Sequence, residues 1–196
     1  MNYSFDHNLF LWLNFDGGEF VDSLMLAASN PAAWSWLYVL VLYMVWRDSG
    51  WRGVALFVVV AGIALGLSDM IAGIFKHVGL LKNLWPEFPA RLRPMHTPEL
   101  QDAIHVVKAG GRYGTVSAHA ATTVAMALLS GVYVRRWWMW CAVAAMTVVV
   151  CYSRIYLAFH FPFDIVLGLL TGLCSVALSV GMVLGVKRVL RLKTRE

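Results

Sequence analysis

The segment Ser153-Arg154-Ile155-Tyr156-Leu157-Ala158-Phe159-His160-Phe161-Pro162-Phe163-Asp164 lies between two strongly apolar stretches. It sets a fixed cation, a histidine and a carboxylate at the edge of a membrane. Charged side chains near a bilayer centre cost ~2.5–3.5 kcal/mol on insertion scales, and those that persist pair with one another or do chemistry. A second polar group precedes it: Lys76 and Lys82, Arg91-Leu92-Arg93-Pro94, Gly110-Gly111-Arg112-Tyr113-Gly114 and Ser117-Ala118-His119. Cations, glycines, a serine and a histidine are the components of an anion site. Arginine offers a rigid fork of N–H donors that matches phosphate oxygens, and the free N–H groups at a helix start attract anions. Ser117 and His119 stand at such a start.

The elements that must hold these residues are apolar. The chain is 60% hydrophobic and 14% charged, with nine tryptophans and a mean hydropathy of +0.67; soluble domains average about 45–50% apolar. This is the composition of an integral membrane protein. Measured against the ~20 residues needed to cross a bilayer, spans are expected near 31–46, with a possible start at Leu24, and near 53–75, 118–134, 137–157 and 163–186. The short links Arg47–Arg52 and Arg135-Arg136 and the tail Lys187, Arg188, Arg191, Lys193 and Arg195 are all basic. The positive-inside rule puts them on one side, the cytoplasm.

Residues 1–30 carry Asp6, Asp16, Glu19 and Asp22 without lysine or arginine, as expected of a segment left outside. Phe10, Leu11, Trp12, Leu13 and Phe15 form a candidate interfacial helix. A cleaved signal peptide fits this start poorly, since the basic n-region is missing. Trp34 and Trp36, Trp46 and Trp51, and Trp137, Trp138 and Trp140 mark span ends, where indole rings favour the interface. Cys141, Cys151 and Cys174 read as small packing residues inside spans. The net charge of +5 is explained by the cytoplasmic excess, and no nucleic-acid motif accompanies it.

With this topology the link 76–117 and the turn holding His160 share the outer face, so two distant segments converge. If the turn enters a helix, positions 160 and 164 are neighbours one turn apart, and Pro162 suits the first helical turn, where its missing N–H does little harm.

These residues resemble the three motifs of the type 2 phosphatidic acid phosphatase superfamily, integral membrane lipid phosphatases whose core is similar to that of the vanadium haloperoxidases. The resemblance covers roughly residues 69–170. The third motif, serine-arginine, five residues, histidine, three residues, aspartate, is matched in full by Ser153, Arg154, His160 and Asp164. The second, usually proline-serine-glycine-histidine, reads Val116-Ser117-Ala118-His119. The first, a lysine, six residues and arginine-proline, ends at Arg93-Pro94, but its lysine is displaced. Lys76, after the helix-like run from Ser68, is the favoured match, with Leu80–Ala90 as an inserted piece; Lys82 is the alternative.

The resemblance implies an all-α, polytopic transmembrane helical bundle of about five to six spans, with residues 1–196 as a single membrane domain. It implies that His160 attacks phosphorus to give a phosphohistidine, that Asp164 orients its ring and stabilises the imidazolium, and that His119 serves as general acid and base. Lys76, Arg93, Ser117 and Arg154 would hold the phosphate. No cofactor or metal is required by this scheme, since the histidines lack partners at ligand spacing.

The implied partners are membrane lipids and a lipid phosphate or diphosphate at the outer face of a bacterial-type inner membrane, with no nucleic acid and no obligate protein partner. Undecaprenyl diphosphate, lipid A, phosphatidylglycerophosphate and phosphatidate are all compatible substrates. The inserted piece, with Trp85, Pro86 and Pro89, is a candidate lid over the head group. The rivals are a lipid-phosphate-binding relative without activity and a small proton-coupled transporter using Asp69, Lys76, His119 and His160. Asp69 and Arg112 are left without an assigned role, and His77, His96 and His105 are expected to be solvated.

Overall fold

Six α-helices carry the chain in the computed structural model, which describes residues 3–79 and 81–193. They are α1 (Tyr3–Leu13), α2 (Gly18–Ser29), α3 (Ser35–Ile74), α4 (Ala118–Val134), α5 (Trp137–Tyr156) and α6 (Pro162–Lys193). Leu80, where the inserted piece would begin, and the side chains of the basic tail at Lys187, Arg191, Lys193 and Arg195 lie outside the described residues.

As one straight rod, α3 would run 40 residues, or about 60 Å at 1.5 Å per residue. It does not, because Gly50 breaks it with φ 62° and ψ −168°, a conformation open to glycine and costly for residues with a Cβ. A Cβ built on Gly53 would sit 3.7 Å from Val45 Cγ1, whereas residues eight apart in a straight helix are separated by about 12 Å. The chain therefore turns back at Gly50, giving arms 35–49 and 51–74. Leu37 and Val41 of the first arm and Phe57, Val60 and Ala64 of the second share one buried cluster with Leu129 of α4 and Met139, Val143 and Met146 of α5.

The region 31–74, α5 and α6 through Val186 are each long and apolar enough to cross a membrane, and α4 is a shorter apolar helix. The outward faces confirm the solvent: Val39, Val58, Val148, Leu170 and Leu178 are exposed, which is favourable in lipid. Trp46, Trp51 and Trp137 are exposed at the helix ends near the basic links, where the sequence puts an interfacial belt. Of the three cysteines only Cys151 is buried; Cys141 and Cys174 face outward instead of packing inside.

Helices in lipid gain little from apolar burial and associate through close packing of small residues. Gly168 and Gly172 of α6 provide this. A Cβ on Gly168 would lie 2.5 Å from the Ser117 carbonyl oxygen, and one on Gly172 would overlap that of Ala121. The start of α4, which carries Ser117 and His119, is thereby pressed against α6.

The long link between α3 and α4 is irregular but ordered by pairing. Leu92 and Tyr113 form an antiparallel bridge, flanked by Arg93 N–H to the Arg112 carbonyl at 3.0 Å and Gly114 N–H to the Arg91 carbonyl at 2.9 Å. The N-terminal helix α1, with the candidate interfacial residues Phe10–Phe15 at and beyond its end, is fastened to the bundle. Phe10 is fully buried, and Asn14 Nδ2 donates to the carbonyls of Tyr156 at 2.7 Å and His105 at 3.0 Å.

Gly172→Leu is expected to separate α4 from α6 and cost about 1–3 kcal/mol, read as a lowered melting temperature in detergent. Gly185→Ala, where a Cβ meets nothing within 4 Å, is the control. A Gly172→Leu protein that melts with the wild type would refute the close-packing account.

Candidate active site

Four helix ends meet at one end of the bundle. Lys76 follows the last turn of α3, Ser117 caps α4 with His119 in its first turn, Arg154 lies in the last turn of α5, and Asp164 lies in the first turn of α6.

Each is held by local chemistry. Ser117 Oγ accepts from Ala120 N–H at 3.3 Å, as an N-cap should. Asp164 sits two residues into α6 and its Oδ2 accepts from Phe161 N–H at 3.0 Å, the reach-back that closes a helix start. The Asp164 carbonyl accepts from Ser117 N–H at 3.0 Å, tying the two helix starts together.

Between α5 and α6 the chain turns through Ala158 at φ 54°. A non-glycine residue in this left-handed region costs on the order of 1 kcal/mol. The turn sends the N–H groups of Phe159 and His160 back to the Arg154 carbonyl at 3.0 and 3.2 Å and leaves His160 wholly buried.

The ring of His160 faces two acceptors. Nδ1 is 2.8 Å from the Gly114 carbonyl oxygen and 3.5 Å from Asp164 Oδ2. A carbonyl can only accept, so the proton resides on Nδ1 and Nε2 keeps its lone pair. The sequence identifies Asp164 as the orienting group; the closer partner is the backbone of Gly114, with the carboxylate as a nearby charge. Gly114 has no side chain for good reason, since a Cβ there would lie 2.9 Å from Arg93 Cγ and 3.4 Å from His160 Nδ1.

Lys76, Arg93 and Arg154 all act electrostatically on both His160 and His119, so the two histidines share one positive field. Burial first, and these cations second, hold the His160 imidazolium well below the usual histidine range. Burial, then Arg93 and Arg154, push the Lys76 ammonium down to about 8. Arg93 Nε donates to the Tyr113 carbonyl at 3.0 Å. The Arg154 guanidinium carbon lies 4.2 Å from the Phe159 ring centroid, its Nη1 donates to Ser29 Oγ, and its Nε is buried with no hydrogen-bond partner among the described residues. Buried cations with a donor to spare are the kind of surroundings that an anion would complement.

Two adjoining cavities meet at Ser29 and His119. One, of about 530 Å³, has mostly apolar walls from Ala28, Trp34, Tyr38, Leu65, Met126 and Val150, with Asp69, Thr122 and Thr123 also on its lining. The other, of about 590 Å³, is bordered by Asn30, Lys108 and Arg154.

All seven residues singled out from the sequence gather here. Lys82 does not, being exposed on the link, and exposed Arg112 lies against Tyr113. The three histidines of the link are not solvated as expected: His105 Nε2 is 2.8 Å from Asp22 Oδ1, His96 Nε2 is 3.1 Å from the Gly110 carbonyl, and His77 Nε2 is buried with no hydrogen-bond partner among the described residues. Four contributors were not assigned these roles from the sequence: Gly114 and Arg91, which lie in the polar runs of the link, act through the Gly114 carbonyl and an Arg91–Asp6 ion pair at 2.7 Å, Asp6 belongs to the acidic N-terminal segment, and Ser29 contributes from a distant helix.

The fold is shared with solved proteins. A crystal structure of LpxE from Aquifex aeolicus superposes with a TM-score of 0.66 at 17% identity, covering 89% of this chain and 93% of that one. The transmembrane PAP2 type phosphatidylglycerolphosphate phosphatase of Bacillus subtilis gives 0.64 at 18%, covering 96% and 90%. In sequence, the chain is 31% identical over 174 residues to the lipid A 4'-phosphatase of Porphyromonas gingivalis, covering 86% of this chain and 68% of that protein. It is 26% identical over 171 residues to the lipid A 4'-phosphatase of Bacteroides thetaiotaomicron, covering 85% and 72%. The PAP2 superfamily profile matches residues 61–188, from the second arm of α3 through α6, and on that match and the 31% identical relative the chain belongs to the PAP2 superfamily of membrane phosphatases.

Proposed function

We propose that this phosphatase removes a phosphate from a phosphorylated lipid through a phosphohistidine on His160, with a lipid A-type substrate favoured by its curated relatives. The observation that carries the reading is the 2.8 Å contact between His160 Nδ1 and the Gly114 carbonyl. It leaves Nε2 as the nucleophile beside three cations.

Lys76, Arg93 and Arg154 hold the phosphate oxygens, assisted by Ser117 and the backbone at the start of α4. Nε2 forms the phosphorus–nitrogen bond while the bond to the lipid oxygen breaks, and His119 gives that oxygen its proton. His119 then takes a proton from water, the water oxygen bonds to phosphorus, and the phosphorus–nitrogen bond breaks to release inorganic phosphate. General acid and base assistance of this kind is worth ~10²–10⁴-fold. The Asp164 carboxylate offsets the imidazolium charge in the intermediate.

The 530 Å³ apolar cavity takes an acyl chain from the bilayer, with His119 at its polar end. The single membrane domain sits in a bacterial-type inner membrane, with the site on the outer face and the C-terminus in the cytoplasm; the basic links and tail support this orientation. A transporter needs its charges spread through the membrane depth, whereas these gather at one end of the bundle.

Phosphate release by detergent-solubilised protein is expected from at least one of lipid A, phosphatidate, phosphatidylglycerophosphate and undecaprenyl diphosphate, with a chelator present. His160→Ala should abolish it; retained turnover in that variant would exclude a phosphohistidine on His160. The pH profile gives a separate check. Lys76, pushed down to about 8, is a cation below that pH and loses its charge above it, so kcat/KM should fall as pH rises past about 8. Lys76→Arg should move this alkaline limb upward, and an unmoved limb would show that another group produces it.

A further inference from the structure

Arg91 stands outside the cation set that faces the phosphate, yet it contacts both groups that face Nδ1 of His160. Its carbonyl accepts from Gly114 N–H at 2.9 Å and its N–H donates to Thr115 Oγ1 at 2.8 Å, which fixes the stretch of backbone presenting the Gly114 carbonyl. Its Nη1 lies 3.4 Å from Asp164 Oδ1. The guanidinium is stacked on the Phe161 ring at 3.8 Å, so it has little freedom to leave.

The same Nη1 lies 2.7 Å from Asp6 Oδ2, a shorter contact than the one to Asp164. Asp6 belongs to α1, and its Oδ1 accepts from Phe163 N–H at 3.1 Å, in the first turn of α6. Both groups are largely buried, with side chains 14% exposed. Asp6 precedes residue 61, where the family match begins.

The charges explain why two acids and one base are needed. An Arg91 with no other partner would place its whole charge on Asp164 and compete with His160 for it. Asp6 takes up part of that charge, and Asp164, whose Oδ2 also accepts from Phe161 N–H at 3.0 Å, keeps that oxygen 3.5 Å from His160 Nδ1. The demand for its negative charge peaks when Nε2 has bonded to phosphorus and the ring is cationic.

We propose that Asp6 and Arg91 are positioning residues for the phosphohistidine step: Arg91 fixes both acceptors of His160 Nδ1, and Asp6 offsets the Arg91 charge so that Asp164 can stabilise the imidazolium. The inference rests on His160 being the nucleophile.

A double-mutant cycle tests it, with kcat and KM measured on the best substrate of the lipid panel. Arg91→Met leaves Asp6 and Asp164 without the cation that lies between them, an arrangement in which two carboxylates stay ionised at greater cost. Its kcat should fall roughly tenfold or more with KM within about twofold. Asp6→Asn alone should lower kcat about threefold, but added to Arg91→Met it should raise kcat about threefold, since it removes the repulsion. A merely structural pair would give losses that accumulate, so a double variant no better than Arg91→Met, or losses residing in KM, overturns the proposal. If Arg91→Met does not melt as a folded protein, Asp6→Asn and Asp6→Glu decide the matter: a lowered kcat restored by Glu supports it, and a wild-type kcat in Asp6→Asn overturns it. His160→Ala in the same panel keeps the two ideas apart, because turnover there removes the nucleophile itself rather than its support.

Discussion

Buried positive charge is the constraint around which this molecule is arranged. Lys76, Arg93 and Arg154 bear on one another and on the same two histidines, at the end of an apolar bundle where desolvation makes each costly. Charges of one sign in such surroundings raise the free energy of the empty site and lower that of a site holding an anion. The neutral His160 follows from its burial first and from the same field second. The cations proposed to bind phosphate oxygens also disfavour a protonated ring, so one arrangement would supply both the electrostatic grip and the unprotonated nitrogen of the proposed mechanism.

Holding such a centre together requires rigid support, and much of it comes from outside the region matched to the family. Asp6 pairs with Arg91, Asn14 ties the end of α5 to the link, and Ser29 receives Arg154 Nη1. Asp22 accepts from the Tyr156 hydroxyl at 2.6 Å. Four polar residues of α1, α2 and their connection thus clamp the turn that carries His160. The acidity of Asp6 and Asp22, which reads from the sequence as the mark of an external segment, has a second use as counter-charge and acceptor.

The packing of α4 on α6 links membrane stability to the site. Gly168 and Gly172 let the helices approach until backbone meets backbone, and the same contact brings Ser117 N–H to the Asp164 carbonyl. The apolar cavity beside His119 arises where α2 and the turn after it meet α3, α4 and α5.

The sequence by itself determined the family and the helical membrane bundle, and it picked out seven polar residues that the fold brings together. Apolar runs of bilayer length report their solvent directly, and the spacing of Ser153, Arg154, His160 and Asp164 is local enough to survive as a pattern. It also favoured Lys76 over Lys82, because the run before Lys76 reads as a helix end. Only the tertiary structure decided what orients His160, since a carbonyl such as that of Gly114 is present at every residue and becomes specific only through where the chain brings it. The pairing of Arg91 with Asp6 and Asp164 was likewise invisible: it joins positions 85 and 73 residues apart, and charge attraction across a fold leaves no periodicity in the chain.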